Sequence, residues 1–166
     1  MKRIFVFTIL FIITTALFSQ SDPMQEVINY FTQGKTLSEK GDYQNALPLF
    51  KKALNIYTTN FSNEDETAGI LYNWVGLVYY NMGEYEKALE YYFKSLTIYE
   101  KTLGKEHPNT ASSYNNIGSL YYTKGDYVNA VSYLNKAVTT YEKIRFSNIP
   151  DANKVEFFAS ILFSYQ

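Results

Sequence analysis

The sequence predicts an all-α protein, a solenoid of antiparallel helix pairs, on three observations. A glycine followed by an acid and a tyrosine recurs every 42 residues, at Gly41, Gly83 and Gly125. Apolar residues on both sides of each of these turns follow helical spacing. A second glycine recurs inside the preceding helix, at Gly34, Gly76 and Gly118. A fixed period of this length indicates stacked units, none of which can bury its apolar face alone.

The first 19 residues are predicted to be a secretory signal peptide. Lys2 and Arg3 precede an apolar run over residues 4–18, which is shorter than the roughly 20 residues of a spanning helix, and small polar residues follow. Cleavage is expected after Ser19 or Gln20, which would export the protein to the periplasm or the medium. The alternative is an uncleaved N-terminal membrane anchor. Residues 20–26 are interpreted as a short linker before a repeat domain at 27–166.

The first repeat covers about residues 27–60. Its first helix carries Tyr30 and Leu37, and its second helix turns one apolar face inward from Tyr43 to Tyr57. Pro48 lies inside that second helix, and because proline lacks the N–H and clashes with the preceding turn, a kink or a delayed start is expected. Residues 60–66 form a polar connector, in which Ser62 or Asn63 is expected to cap the next helix.

The second and third repeats cover about residues 67–103 and 109–144. Between them, Gly104 is placed to end one helix and Pro108 to begin the next. Val138 and Tyr141 are predicted to lie on the buried face of the last of these helices. A partial fourth repeat is predicted at 151–166, where Ala159 follows Gly118 by 41 residues.

The two glycine series have different predicted roles. Glycine inside a helix costs about 1 kcal/mol relative to alanine, so its recurrence suggests close helix contact. Gly34, Gly76 and Gly118 are expected to face Ala46, Ala88 and Ala130 of the partner helix. The glycines of the turns are expected to adopt positive φ, which lets the chain reverse.

Composition argues against several functions. The net charge is −1, and it becomes −3 without Lys2 and Arg3, which is a poor match for nucleic acid. The absence of cysteine removes thiol catalysis and zinc–cysteine sites. The single histidine, His107, is interpreted as a helix cap or loop hydrogen-bonding group, and the acids at 64–66 as a solvated connector. No catalytic or metal-binding residue, no cofactor and no small-molecule substrate are expected, and the protein is not predicted to be an enzyme.

These residues resemble the tetratricopeptide repeat. The matching positions are the early aromatics Tyr30, Tyr72 and Tyr114, both glycine series, and the small residues of the second helices. The 42-residue period and the segment 103–110 look like the long-helix variety found in kinesin light chain and in bacterial scaffold proteins. The resemblance covers nearly all of the chain after the bacterial-type signal peptide. It implies a right-handed superhelix of about three repeats plus one extra helix.

The resemblance also implies a concave face, lined by the first helices, that binds a protein or peptide. The residues expected there are Lys35, Ser38, Asn73, Trp74, Leu77, Tyr80, Asn115, Asn116, Ser119 and Tyr122. Asparagine amides can donate to and accept from a peptide backbone. The alternative is that Tyr80 and Tyr122 pack between adjacent repeats while Asn73 and Asn115 are solvated.

The predicted function is therefore an exported protein-interaction scaffold. The main alternative is an N-terminal sensor or regulatory fragment of a larger signalling protein, a kinase or a protease, interrupted in the fourth repeat. Phe157, Phe158, Ile161, Leu162 and Phe163 make the last predicted helix apolar nearly all round. Self-association, or contact with a further domain, through residues 157–163 is a third hypothesis.

Overall fold

The computed structural model describes residues 22–148, which form six α-helices and no strand. The predicted signal peptide, residues 1–19, and the predicted fourth repeat, residues 151–166, lie outside the described part of the chain. The helices are α1 (Pro23–Glu39), α2 (Tyr43–Asn60), α3 (Glu66–Asn81), α4 (Tyr85–Thr102), α5 (Pro108–Thr123) and α6 (Tyr127–Ser147). The all-α class is thus confirmed. Within the described residues no helix combines the length and the apolar character that a membrane span requires.

The chain divides into two compact units, on either side of the boundary between Phe61 and Ser62. In the first unit, α1 and α2 pack against each other as one helix pair. Helix α1 begins at Pro23, within the stretch predicted as a linker, and the Asp22 side chain caps it by accepting a hydrogen bond from the Met24 N–H at 3.0 Å. Helix α2 begins at Tyr43 and runs through Pro48. The delayed start expected from this proline is therefore wrong.

The second unit contains two helix pairs, α3 with α4 and α5 with α6, and α5 also packs on α4. The Asp65 carboxylate caps α3 by accepting from the Ala68 N–H at 3.0 Å, so the prediction of a Ser62 or Asn63 cap is wrong. Asp65 stands immediately before the first helical residue, where a side-chain oxygen reaches the free N–H groups. His107 caps α5, because its Nδ1 accepts from the Asn109 N–H at 3.2 Å. The predicted capping role of this histidine is confirmed.

The three turn glycines share one geometry. Gly41, Gly83 and Gly125 have φ of 78°, 78° and 79°. In each turn the next residue donates its N–H to the carbonyl five residues earlier at 2.9 Å, as from Asp42 to Leu37. This arrangement satisfies carbonyls at the end of the helix and reverses the chain. The predicted positive φ is confirmed at all three positions.

The glycines inside the helices lie against larger residues than predicted. A Cβ on Gly76 would lie 2.7 Å from the Tyr92 ring, and one on Gly118 would lie 2.8 Å from Leu134 Cγ. The expected contacts with Ala46, Ala88 and Ala130 are wrong by one helical turn, because the nearest side chains belong to Phe50, Tyr92 and Leu134, four residues further along the second helix. Their close approach, however, is confirmed.

Two residues of α6 are not buried as predicted. Val138 is 54% exposed and Tyr141 is 44% exposed, whereas the residues 42 positions earlier, Leu96 and Tyr99, are 6% and 4% exposed. Helix α5 packs on α4, but no helix among residues 22–148 packs on the equivalent face of α6. Burial at these positions thus depends on the neighbouring helix.

Candidate functional site

The first helices of the second unit, α3 and α5, are joined by a polar ladder. Asn109 donates to Glu66 Oε1 and Asn116 donates to Asn73 Oδ1, both at 3.0 Å, and the hydroxyls of Tyr80 and Thr123 lie 3.3 Å apart. On each helix the three residues follow one another at intervals of seven positions. Seven residues are close to two helical turns, so all three bonds lie on one side of the helix pair. We call the surface around this ladder the inner face.

The structure places eight of the predicted binding residues on α3 and α5. Six of these are half-buried: Asn73, Trp74, Leu77, Tyr80, Asn116 and Ser119. Asn115 and Tyr122 are exposed, Tyr122 to 63%. The ladder brings Asn73 and Asn116 together, whereas Asn115 is not part of it.

The aromatic rings of Tyr80 and Tyr122 on the inner face pack within their own repeats. The Tyr80 ring centroid lies 6.0 Å from that of Tyr85, and the Tyr122 centroid lies 5.5 Å from that of Tyr127. Each ring therefore covers the first residue of the following helix. Because Tyr122 keeps most of its surface exposed despite this contact, it remains available to a partner.

The other two predicted residues belong to the first unit. Lys35 is exposed and lies 3.8 Å from Glu39, one turn further along α1. Ser38 is half-buried near the end of the same helix. An ion pair of this kind on an exposed helix contributes only about 0.3–0.5 kcal/mol, so it leaves the lysine able to exchange partners.

An open cavity of about 240 Å³ lies between α3 and α5 beside Asn73. Trp74, Asn109 and Ser112 contribute to its wall, together with the buried residues Ser113 and Tyr99. Asn109, Ser112 and Ser113 were not among the predicted binding residues. The sequence did contain a signal that could have identified them, because residues 109, 113 and 116 follow helical spacing on one face. Extending the face of Asn116 back toward the start of the helix would have found them.

Tyr99 is the one ionisable residue among those that line this cavity. Burial raises the pKa of the Tyr99 phenol to about 12, an effect that a hydrogen bond with Ser95 partly offsets. The phenol is thus neutral at ordinary pH, and the carboxylate of Glu66 is already hydrogen-bonded by Asn109. Among residues 22–148 no cluster of side chains is suited to hold a metal ion. The cavity therefore offers uncharged donors and acceptors beside aromatic surface.

Two buried serines in this unit are expected to respond oppositely to alanine. The Ser113 hydroxyl is buried without a hydrogen-bond partner among the described residues, whereas Ser95 donates to the Gly69 carbonyl at 2.8 Å. We expect Ser113→Ala to raise the free energy of unfolding by about 0.5–1 kcal/mol, because an unsatisfied buried hydroxyl is costly. Ser95→Ala should lower it by about 1 kcal/mol. Urea unfolding of both variants tests this, and equal losses would contradict it.

Comparison with known proteins agrees with this architecture. Two family models described as tetratricopeptide repeat match the chain, over residues 28–60 and 66–143. No curated protein sequence matches significantly. Among solved structures, BtubC (BKLC) from P. vanneervenii is similar with a TM-score of 0.73 and 22% identity, over 85% of this chain and 56% of that one. The chain thus spans little more than half the length of that relative.

Two further structures show the same fold. The TPR domain of Arabidopsis FLU has a TM-score of 0.65 and 22% identity, over 74% of this chain and 99% of that one. A putative kinesin light chain from Podospora anserina has a TM-score of 0.67 and 21% identity, over 79% of this chain and 62% of that one. At such identities the likeness concerns the fold alone. The family assignment rests on the two family models, which show that residues 28–60 and 66–143 of this chain are tetratricopeptide repeats.

Proposed function

We propose that this chain is an exported protein-interaction module that binds an extended polypeptide segment along α3 and α5. Tetratricopeptide repeats are typically scaffolds for protein–protein interaction. The observation that carries the proposal is the hydrogen bond between Asn116 and Asn73 on the inner face.

This bond leaves hydrogen-bonding capacity on both amides. Asn116 donates and Asn73 accepts, so Asn73 retains its NH₂ group and Asn116 retains its carbonyl oxygen. One free donor and one free acceptor, held side by side, match the C=O and N–H of a single peptide unit. Because the pair is already held in place by its mutual bond, little side-chain entropy is lost when a peptide binds.

Aromatic and apolar surface flanks the amide pair. Trp74 lines the adjacent cavity, and Tyr122 presents an exposed ring on the same helix as Asn116. Such rings add contact area at low entropic cost. Since the cavity lining is uncharged, the segment is expected to present backbone and uncharged side chains to this part of the surface.

Export rests on the first 19 residues of the sequence, in which two basic residues precede an apolar run. In fractionated cells the mature protein is expected in the cell envelope or the medium, beginning at Gln20 or Ser21. N-terminal sequencing of that fraction would identify the processed end. An intact Met1 would contradict cleavage.

The binding proposal is tested by partner capture from the same fraction. We expect the double variant Asn73→Ala with Asn116→Ala to retain about a tenth of the partner held by the wild type, because two buried polar contacts are lost. Trp74 is the only tryptophan, so its fluorescence reports ligand binding at the cavity directly.

The matched control replaces two exposed amides of α2, Gln44→Ala with Asn55→Ala. This variant should capture partners as the wild type does. Equal capture by both double variants, with no change in Trp74 emission on binding, would rule out the inner face as the binding surface.

A further inference from the structure

A second cleft, away from the inner face, occurs in both repeats of the second unit. In the α3–α4 repeat it has a volume of about 350 Å³, and in the α5–α6 repeat about 460 Å³. Every residue lining the smaller cleft has a counterpart 42 residues later in the lining of the larger one. Neither shares a lining residue with the inner-face cavity. We call them the outer clefts of the second and third repeats.

The two outer clefts share one framework. A lysine of the second helix lies over the early tyrosine, with Lys94 Nζ 5.9 Å from the Tyr72 ring centroid and Lys136 Nζ 5.7 Å from that of Tyr114. Lys136 also lies 4.7 Å from the Tyr133 ring. Cation–π contact of this kind fixes the position of the ammonium group. In both clefts a lysine near the rim pairs with a glutamate of the preceding loop, Lys101 with Glu64 and Lys143 with Glu106.

The clefts differ in whether a carboxylate neutralises the lysine that lies over the early tyrosine, Lys94 or Lys136. In the second repeat Lys94 forms an ion pair with Glu90 at 2.6 Å. The residue equivalent to Glu90 in the third repeat is Ser132, and no carboxylate among residues 22–148 forms an ion pair with Lys136. The third-repeat cleft therefore has a positioned lysine whose charge is not matched by a carboxylate.

Two further differences also make the third-repeat cleft more polar or more positively charged than that of the second repeat. Lys105 stands where the second repeat has Asn63, and Thr140 stands where it has Ile98. The Thr140 hydroxyl donates to the Lys105 carbonyl at 3.4 Å, which links the loop to α6. Like Lys136, Lys105 has no ion-pair partner among the described residues. From the second repeat to the third, an acid is thus replaced by a hydroxyl at Ser132, an amide by a cation at Lys105, and an aliphatic group by a hydroxyl at Thr140.

The two glutamates that line the third-repeat cleft do not cancel the positive charge of its lysines. Glu106 is engaged by Lys143 at 2.6 Å, and Glu100 accepts a hydrogen bond from the Tyr114 hydroxyl. Three lysines and two glutamates line the cleft, which leaves one net positive charge. This local excess lies on a chain whose net charge is −1.

We propose that the outer cleft of the third repeat binds a carboxylate side chain within an acidic segment of a polypeptide partner. The ammonium groups of Lys105 and Lys136 would engage the carboxylate, and the hydroxyl of Ser132 would donate to it. A cleft of about 460 Å³ accommodates one such side chain with its adjoining backbone. The acidic balance of the whole chain disfavours a nucleic acid as the polyanion. This surface is separate from the inner face and goes beyond the function proposed there.

The test uses the full chain with oligoglutamate and oligoglutamine peptides, followed by fluorescence anisotropy at low salt. We expect oligoglutamate to bind and oligoglutamine not to. Lys136→Gln, and Ser132→Glu, which installs the carboxylate of the second repeat, should each weaken oligoglutamate binding about fivefold. Lys94→Gln is the matched control, since all three substitutions lower the net charge by one, and it should change binding less than about twofold.

Equal weakening by Lys94→Gln and Lys136→Gln would overturn the proposal, because it would show attraction by overall charge alone. Comparable binding of the two peptides would overturn it as well. The inner-face variant Asn73→Ala with Asn116→Ala should bind oligoglutamate like the wild type. A failure of the outer-cleft proposal is therefore distinguishable from a failure of the inner-face proposal.

Discussion

Replacing Gly118 with leucine is expected to lower the free energy of unfolding by about 3 kcal/mol, at the upper end of overpacking effects in well-packed cores. A Cβ at this position would lie 2.8 Å from Leu134 Cγ and 3.0 Å from the Leu134 backbone nitrogen. A side chain can rotate away, but the backbone of α6 can yield only if the two helices separate. Urea unfolding, followed by circular dichroism, measures the loss.

Gly34 provides the matched comparison in the first unit. A Cβ there would lie 3.3 Å from three atoms of the Phe50 ring, with no backbone atom among its nearest contacts. Gly34→Ala is therefore expected to change the free energy of unfolding by less than about 1 kcal/mol, because the gain in helix propensity offsets the tight contact. Gly118→Ala should lie between the two. Equal effects of Gly34→Ala and Gly118→Leu would show that the close approach at Gly118 has no energetic role.

Raising the pH to about 11 is expected to lower the free energy of unfolding by about 3 kcal/mol relative to about pH 8. Burial raises the pKa of Tyr92, Tyr99 and Tyr114, and donation to the Glu100 carboxylate raises the pKa of Tyr114 further. The unfolded chain releases these phenol protons near pH 10, whereas the folded chain holds them. The stabilisation is therefore complete below about pH 10 and is lost as the pH rises toward the folded-state values.

Tyr99 illustrates the size of the alkaline effect. With a folded-state pKa of about 12 against about 10 when unfolded, it contributes a loss of about 1 kcal/mol at about pH 11. Urea unfolding at both pH values, together with the ultraviolet absorbance of tyrosinate, measures the total loss. Tyr99→Phe should reduce the pH dependence, because it removes one of the raised phenol pKa values. Equal stability at the two pH values would contradict the prediction.

The repeat architecture was predictable because its signals are local. A glycine at positive φ ends a helix wherever it stands, and a helical face is read from spacing of three and four residues. The turns at Gly41, Gly83 and Gly125, and the cap at His107, were therefore found without knowledge of the packing. The cap at Asp65 was missed because several residues of the connector could accept the same hydrogen bonds.

The candidate site was only partly predictable. The period of 42 relates Asn73 to Asn115, but the hydrogen bond joins Asn73 to Asn116, 43 residues away. The period identifies residues that occupy the same place in successive repeats. Which residues of two neighbouring helices touch depends instead on how those helices are aligned. For the same reason the predicted alanine partners of the helix glycines were one turn from the observed ones. Whether the predicted inner-face residues bind a partner remains a prediction.

Local spacing thus specified the helices, their turns and the face on which polar residues recur, since these depend on interactions within one or two turns of chain. Packing between helices decided which of those residues meet. It joined Asn73 to Asn116, and it left Val138 and Tyr141 exposed where Leu96 and Tyr99 are buried. The two outer clefts, by contrast, already differ in the sequence, because Ser132 stands where Glu90 pairs with Lys94 within one helix. What the sequence did not predict lies between helices, where an offset of one residue changes which side chains meet.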